Sequence, residues 1–524
     1  MTMHVLRVLL AALWLVAGAA WATPAGVAPA LLAPLAGDDP DARVTAVASL
    51  GALGTPQAAA VLRALQDDAL YATAEGEVGI AGPDGSLPEG AETIMVNNRL
   101  RVAIAAALSG MDLGAPQPAR RLAAARAMLD GEPDPAQSAP ARRALVQETD
   151  DEVRAVLALL VARIGLQSND PAERRTAAVQ LGESGNAAQR PLLQALLEPG
   201  FETDESVRVA AATALAALDS RQRRADLAGR LFQGLSLGSV LLLAALGLAI
   251  TFGLMGVINM AHGELLMIGA YTTWLVQSLF RHYLPESVDW YLLAALPAAF
   301  LVAALAGMAL ERTVIRWLYG RPLETLLATW GISLVLMQGV RTLFGAQNVE
   351  VANPAWMAGG VTVLGSLVLP YNRIAIIVFA ALVTAAVWLL LNATRLGLFV
   401  RAVMQNRRMA DCVGVPTGCI DMLTFGLGSG IAGLGGVALS QLGNVGPDLG
   451  QAYIIDSFMV VVLGGVGQLA GTVVGAMGLG ILSKLIEPFW GAVLAKIAVL
   501  VLIVLFIQKR PQGMFALKGR SAEA

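Results

Sequence analysis

The chain has two cysteines and three histidines in 524 residues, and only 14% of it is Asp, Glu, Lys or Arg. Each scarcity excludes something. Cys412 and Cys419 lie close together late in the chain, so no disulfide framework and no paired CxxC for zinc is expected. Both read as small packing residues. Histidines at 4, 262 and 282 leave no HExxH, and neither a GxSxG elbow nor a metal-ligand cluster occurs. No catalytic set, metal site or cofactor is therefore expected. A GxxxxGK[ST] phosphate loop is missing too: Gly464–Gly475 is glycine-rich but has no lysine, so the chain is not expected to hydrolyse ATP itself. A net charge of −3, with no basic stripe interleaved with aromatics, argues against nucleic acid as a partner.

What is present is apolar. Hydrophobic residues make up 56% of the chain, too much for a soluble protein of this size. The excess is uneven. Residues 36–230 carry most of the Asp, Glu and Arg, and residues 231–508 are one apolar run after another. A polar domain followed by a membrane domain is the simplest organisation. At the N-terminus, Arg7 precedes the apolar run Val8–Ala20, and Ala20-Trp21-Ala22 fits a small-x-small cleavage site. This predicts a signal peptide over 1–22, with a single membrane anchor as the other reading. Either one exports the domain that follows, over 23–228.

Inside that domain, residues 38–66 and 169–197 share a pattern. Asp39-Pro40 matches Asp170-Pro171, Arg43 matches Arg174, Leu50-Gly51 matches Leu181-Gly182, and Leu62 and Leu65 match Leu193 and Leu196. Pro118, Arg121, Ala124 and Met128 keep the same register, and Asp151–Leu160 and Asp204–Leu218 look like further first helices. Asp before Pro caps and starts a helix, apolar residues at helical spacing make one buried face, and such helix pairs bury their faces only by stacking. The pattern resembles HEAT-like repeats; a generic alanine-rich helical bundle is the plainer reading. Residues 70–98 interrupt it with strand-like runs at Leu70–Ile80 and Ala91–Val96 around Gly82-Pro83-Asp84-Gly85, which predicts a β-hairpin insertion.

From Leu231 the apolar runs predict membrane segments at 233–256, 263–280, 290–311, 324–345, 373–393, 419–441, 455–471, 472–486 and 491–508, about eight to ten in all. Arg312, Arg316 and Arg321 mark one cytoplasmic loop, Arg395, Arg401, Arg407 and Arg408 another, and Lys509, Arg510, Lys518 and Arg520 a cytoplasmic end. Nine crossings then put residue 231 outside, in agreement with an exported N-terminal domain. Arg221, Arg223, Arg224 and Arg230 oppose this, and an even number of crossings with a cytoplasmic repeat domain stays open.

Two stretches carry the functional signal. Ala249–Tyr271 places Asn259, His262 and Glu264 inside an apolar region, where polar groups are costly and mark a pathway, a helix break or a tight contact. His262 reads either as a histidine bonded to nearby backbone at a helix break or as a pathway residue that bonds a polar solute. Asn259 divides the same way, and Glu264 also reads as a side chain reaching the cytoplasmic interface. Thr251, Gln338 and Gln441 are the other pathway candidates. The second stretch, Thr394–Pro416, is basic and compatible with a helix, and by itself reads as an ordinary positive-inside loop.

The 249–271 stretch resembles a signature of the branched-chain amino-acid and urea class of ABC-importer permeases. Arg401-Ala402, Ala410 and Gly414-Val415 resemble the coupling loop of such permeases, and Phe425–Ala438, Asp456–Gly480 and Arg510-Pro511-Gln512-Gly513-Met514-Phe515 continue the likeness in order. Each glycine run alone reads as plain helix packing. The resemblance covers nearly all of 231–516. It implies an all-α fold: a polytopic permease domain over 229–516, preceded by the repeat domain and followed by a cytoplasmic tail at 517–524. It also implies an inner-membrane location and a pathway shared with a second related permease subunit. Separate ATPase subunits would dock on Arg401, Ala402, Gln405, Asn406, Arg407, Ala410 and Gly414, and a periplasmic solute-binding protein would deliver the solute. A long exported extension resembles the urea branch, which implies urea, a small neutral solute. Branched-chain amino acids or short amides remain the alternative. A non-transporting receptor or scaffold that docks through its repeats is the rival of another class, and the missing catalytic cluster disfavours a membrane enzyme.

Overall fold

The computed structural model describes residues 27–37, 39–73, 76–81, 87, 88, 90–363 and 367–515. The expected signal peptide, the tip Gly82–Gly85 and the tail 517–524 lie outside the described residues. The chain divides into two compact units, Met1–Gln222 and Arg223–Ala524.

The first unit contains helices α1 (Pro29–Ala36), α2 (Pro40–Leu53), α3 (Pro56–Gln66), α4 (Asn98–Asp112), α5 (Pro118–Asp130), α6 (Ser138–Gln147), α7 (Asp151–Gly165), α8 (Pro171–Glu183) and α9 (Arg190–Ala195), and the start of α10 (Glu205–Met255). Their starts follow from capping. Asp39, Asn97, Asp150 and Asp170 each accept a backbone N–H of the first turn, and Pro40, Pro118 and Pro171 occupy first-turn positions. Leu50, Leu62, Leu65, Leu157, Leu160, Leu181 and Leu193 are fully enclosed, divided among three separate apolar clusters of this unit.

A repeated arginine ties neighbouring helices. Arg121 Nε and Nη2 donate to both carboxylate oxygens of Glu148 at 2.8 and 2.7 Å, and Nη1 donates to the Ala115 and Pro116 carbonyls. Arg174 repeats this on Glu202 at 2.7 and 2.9 Å and on the Ser168 and Asn169 carbonyls. Arg43, at the matching position, reaches the Gly37 and Met95 carbonyls instead. Glu148 and Glu202 also accept backbone amides that lead into α7 and α10. The hydrogen bonds from Arg121 hold the Glu148 carboxyl down at about 2 against the opposing effect of burial, and Arg174 lowers Glu202 in the same way. A depressed carboxylate stabilises the fold above its unfolded value near 4.5 and loses that contribution as pH falls toward about 2. Glu148→Gln should therefore lower the thermal unfolding temperature of this unit, followed in the full-length protein, at pH 7, and the gap from wild type should close toward pH 2. An equal gap at both ends would show that charge plays no part.

The insertion differs from the expected hairpin. Strand β1 (Leu70–Thr73) is central and pairs antiparallel with both β2 (Val78–Ile80) and β3 (Ala91–Thr93), in register Tyr71↔Gly79 and Tyr71↔Thr93. The chain reverses earlier than Gly82–Gly85 because Gly76, at φ 81°, bonds back to the Thr73 carbonyl.

The second unit contains the rest of α10, then α11 (His262–Tyr283), α12 (Tyr291–Thr313), α13 (Pro322–Phe344), the strand pair β4 (Gly360–Val363) and β5 (Leu367–Pro370), α14 (Tyr371–Ala393), α15 (Arg395–Gln405), α16 (Arg407–Cys412), α17 (Thr417–Ser440), α18 (Leu449–Gly464) and α19 (Leu469–Lys509). Among the described residues, six helices are long and apolar enough to cross a membrane. Helices α10 and α17 form the centre: 83% and 78% of their apolar windows are buried, against 22% for α13 and α14. Helix α17 is the glycine-rich one of the two. Its glycines admit neighbouring backbones. A Cβ on Gly433 would meet the Ala299 carbonyl oxygen at 2.6 Å, and one on Gly430 would meet the Phe300 ring.

One segment boundary moves. The break expected after residue 471 lies at Gly465–Gln468, because Gly465 (φ 100°) and Gly467 (φ 83°) turn the chain there. Hydropathy does not register this turn, since Val466 and Leu469 are themselves apolar. The chain end folds back onto it: Met514 N–H donates to the Leu463 carbonyl at 2.9 Å and Phe515 N–H to that of Gly464 at 3.3 Å. Helix α19 also carries a break at Gly491, where φ is 78° and ψ 166°.

Candidate functional site

Helix α10 stops at Gly256, and α11 starts at His262. The connection is held by side chains. Asn259 Oδ1 accepts the Ala261 N–H at 3.0 Å, an Asx turn that launches α11. Thr329 Oγ1 accepts the Met260 N–H at 3.1 Å, and Ser333 Oγ donates to Glu264 Oε1 at 2.8 Å. Asn259, His262, Glu264, Thr251, Thr329 and Ser333 are all buried.

His262 Nε2 lies 2.9 Å from the Ala244 carbonyl oxygen. A carbonyl only accepts, so this nitrogen carries the proton and Nδ1 is left as an acceptor. Three atoms here are buried without a partner: His262 Nδ1, Asn259 Nδ2 and Glu264 Oε2. The first is an acceptor. The second is a donor, an assignment fixed by the bond that Asn259 Oδ1 already makes. Unsatisfied polar atoms deep in an apolar bundle are costly and call for an explanation. Thr251 belongs to the same neighbourhood: its hydroxyl bonds back to the Gly247 carbonyl, and its methyl faces Gly428 of α17.

The other two pathway candidates lie elsewhere. Gln338 is exposed on α13. Gln441 is buried at the opposite end of α17. There its Oε1 accepts the Tyr291 hydroxyl at 3.1 Å and its Nε2 donates to Ser440 Oγ. Tyr291 and Gln277 in turn bind the Ala352 backbone, so this second polar group pins a loop. Glu264 does not reach an interface; it is 1% exposed and bonded to Ser333. Thr329, Ser333 and Gln277 went unnoticed in the sequence because a hydroxyl or amide inside an apolar run looks like tolerated helix surface.

The basic segment 395–412 is not one helix. Asn406 leaves helical geometry (φ −154°, ψ 100°), and its Oδ1 accepts the Met409 N–H at 3.0 Å. An asparagine able to cap the next turn prefers that role to continuing the helix. Arg401 Nη1 donates to the Leu391 carbonyl at 2.8 Å, Ala402 is half-buried, and Gln405 and Arg408 are exposed. Arg407 pairs with Asp421 of α17 and lies 5.0 Å from the Tyr319 ring centre. Ala410 is 4% exposed, covered by its own chain, whereas Gly414, at φ 87°, has open space around it. Leu398 and Met409 on this segment, and Val413 just after it, are exposed apolar residues. Among the described residues, no group of three His, Cys, Asp or Glu is placed to hold a metal ion.

Residues 230–508 match the family described as branched-chain amino acid transport system / permease component. The high-affinity branched-chain amino acid transport system permease protein BraD of Pseudomonas aeruginosa is 31% identical over 291 residues, which is 54% of this chain and 94% of that protein. The corresponding protein LivH of Escherichia coli is 28% identical over 292 residues, with the same two shares. The ribose import permease protein RbsC of Escherichia coli is 31% identical over 110 residues, covering 20% of this chain and 34% of that one. No solved structure matches. The family match begins at residue 230 and takes in the helix break at Asn259–His262, the central glycine helix and the two basic helices. This chain belongs to the branched-chain amino acid transport system permease family.

Proposed function

We propose that this chain is the permease subunit of an ABC importer that moves urea across the inner membrane. Separate ATPase subunits drive it, a second related permease completes the pathway, and a periplasmic solute-binding protein delivers the solute. The observation behind this reading is the pair of buried unpartnered atoms at the helix break, a donor on Asn259 and an acceptor on His262. Urea carries both kinds of group and no charge, so it matches such a pair without a charged ring. Both side chains are closed off from solvent, so passage requires the bundle to open. The relatives' names favour a second reading, uptake of branched-chain amino acids.

In the same proposal the first unit is a HEAT-like stack on the periplasmic side, and the exposed Leu398, Met409 and Val413 face an ATPase. Labelled urea and labelled leucine offered to cells lacking this gene decide the substrate: loss of urea uptake alone supports urea, and loss of leucine uptake alone the second reading. Membranes of the complemented strain test the rest. Protease added to intact spheroplasts should cut the first unit and spare Arg395–Arg408. An ATPase subunit should co-purify with wild type and be lost from a Met409→Glu, Val413→Glu variant. Protection of the first unit would reverse the orientation.

A further inference from the structure

Between the basic helices and the bundle there is a half-open pocket. A cavity of about 390 Å³ has Val400, Val403 and Met404 of α15 on one side and Phe252, Ile420 and Thr424 on the other. Close-packed interiors transmit displacement because no atom moves without its neighbour. A cavity wall does not. Helices α15 and α16 also pack on α17 beside it, and the Thr417 hydroxyl donates to Asp411 at 3.4 Å, but the charged link runs through the cavity lining itself, where Arg407 and Asp421 meet. Among the described residues, Arg407–Asp421 is the one ion pair that joins the segment 395–412 to the rest of the bundle.

The pair is built to hold. Asp421 is 4% exposed at its side chain, on the first turns of the central helix α17. The guanidinium of Arg407 also lies over Tyr319, whose hydroxyl donates to Glu311 Oε1 of α12 at 3.2 Å. A single side chain thus grips α17 directly and α12 through one aromatic ring. Its backbone opens α16, immediately after the break at Asn406. Arg408 next to it is exposed.

Resting on the reading that ATPase subunits dock on this segment, we propose that Arg407 is the positioning residue that carries their movement into the bundle. The cavity beneath is the space into which α15 and α16 swing. Arg407 then acts by pulling Asp421 and α17, and it touches no solute. Loss of the guanidinium should leave ATP hydrolysis running while α17 no longer follows.

The test uses the complete transporter, purified with its ATPase and partner permease subunits and reconstituted in vesicles. Uptake of labelled solute and ATP hydrolysis are measured together. Wild type should give ATP-dependent uptake; its absence would remove the transport reading and this inference with it. R407Q should assemble normally and hydrolyse ATP within about twofold of wild type, with uptake per ATP reduced about tenfold or more. D421N should behave alike. R407K should retain most of the uptake. Restoration of uptake in R407D combined with D421R would identify the pair itself as the link. Uptake per ATP unchanged in R407Q and D421N would overturn the inference. So would a parallel fall of uptake and hydrolysis, or loss of assembly in both variants, which would make the pair a folding element.

Discussion

Replacing Gly269 by valine is expected to remove the assembled permease from the membrane. Helices α11 and α17 touch backbone to backbone at this point. A Cβ on Gly269 would fall onto the Gly433 carbonyl oxygen and stand 2.5 Å from the Gly433 Cα. The obstacle is main chain, so no rotamer relieves it, and valine brings two further carbons. Overpacking where side chains can adjust costs about 1–3 kcal/mol; here the helices must separate. The separation opens the centre of the bundle, because a Cβ on Gly436, nearly one turn further along α17, meets Leu266 backbone in the same way. Gly331→Val is the matched control. Gly331 lies within a helix of the same domain and has nothing within 4 Å of an added Cβ. Membrane yield and size-exclusion profile of the two variants check the prediction, and wild-type behaviour of Gly269→Val would mean that the contact is compressible.

The second large effect is expected at the helix break. On the proposed urea reading, Asn259→Ala and His262→Ala should each lower urea flux by about tenfold, the equivalent of one hydrogen bond of about 1.4 kcal/mol lost to the passing solute. Each side chain also bonds the protein, Asn259 through the Ala261 N–H and His262 through the Ala244 carbonyl. Membrane yield must therefore be measured beside flux. Reduced flux at wild-type yield, with Gln441→Ala as a variant outside the cluster, assigns the two unpartnered atoms to the pathway. If both variants transport normally, the two residues serve only the turn.

Much of this was readable in the residues themselves. Asp-Pro starts and matched leucines give the helix starts and their buried faces, because capping and burial are local and periodic. The repeated Arg43, Arg121 and Arg174 were visible as identities, but their partners were not. Glu148 lies 27 residues beyond Arg121 and Glu202 lies 28 beyond Arg174, distances that no periodicity marks. The Glu-Thr-Asp that occurs at both 148–150 and 202–204 was the available clue. Asn259 and His262 stood out because they are polar in an apolar run, and the unpartnered atom on each follows from how one bond uses up the other. Ser333 and Thr329 needed the fold, since the contact that makes them matter joins α13 to a loop some seventy residues earlier. Asn406, inside a helix-compatible run, read as one residue of a continuous docking helix. Only the bond to the Met409 N–H shows it to be a break.

The hydrogen bonds from Met514 and Phe515 to the turn at Leu463 and Gly464 also impose an order of assembly. The chain is made from its N-terminus, so the turn between α18 and α19 leaves the synthesis machinery some fifty residues before the amides that complete it. Until then its carbonyls depend on water or on passing partners. The bundle can insert helix by helix, but the end that carries this turn becomes a finished structure only after residue 515. A nascent chain thus differs from a finished one at a single turn, whose two carbonyls gain their partners last.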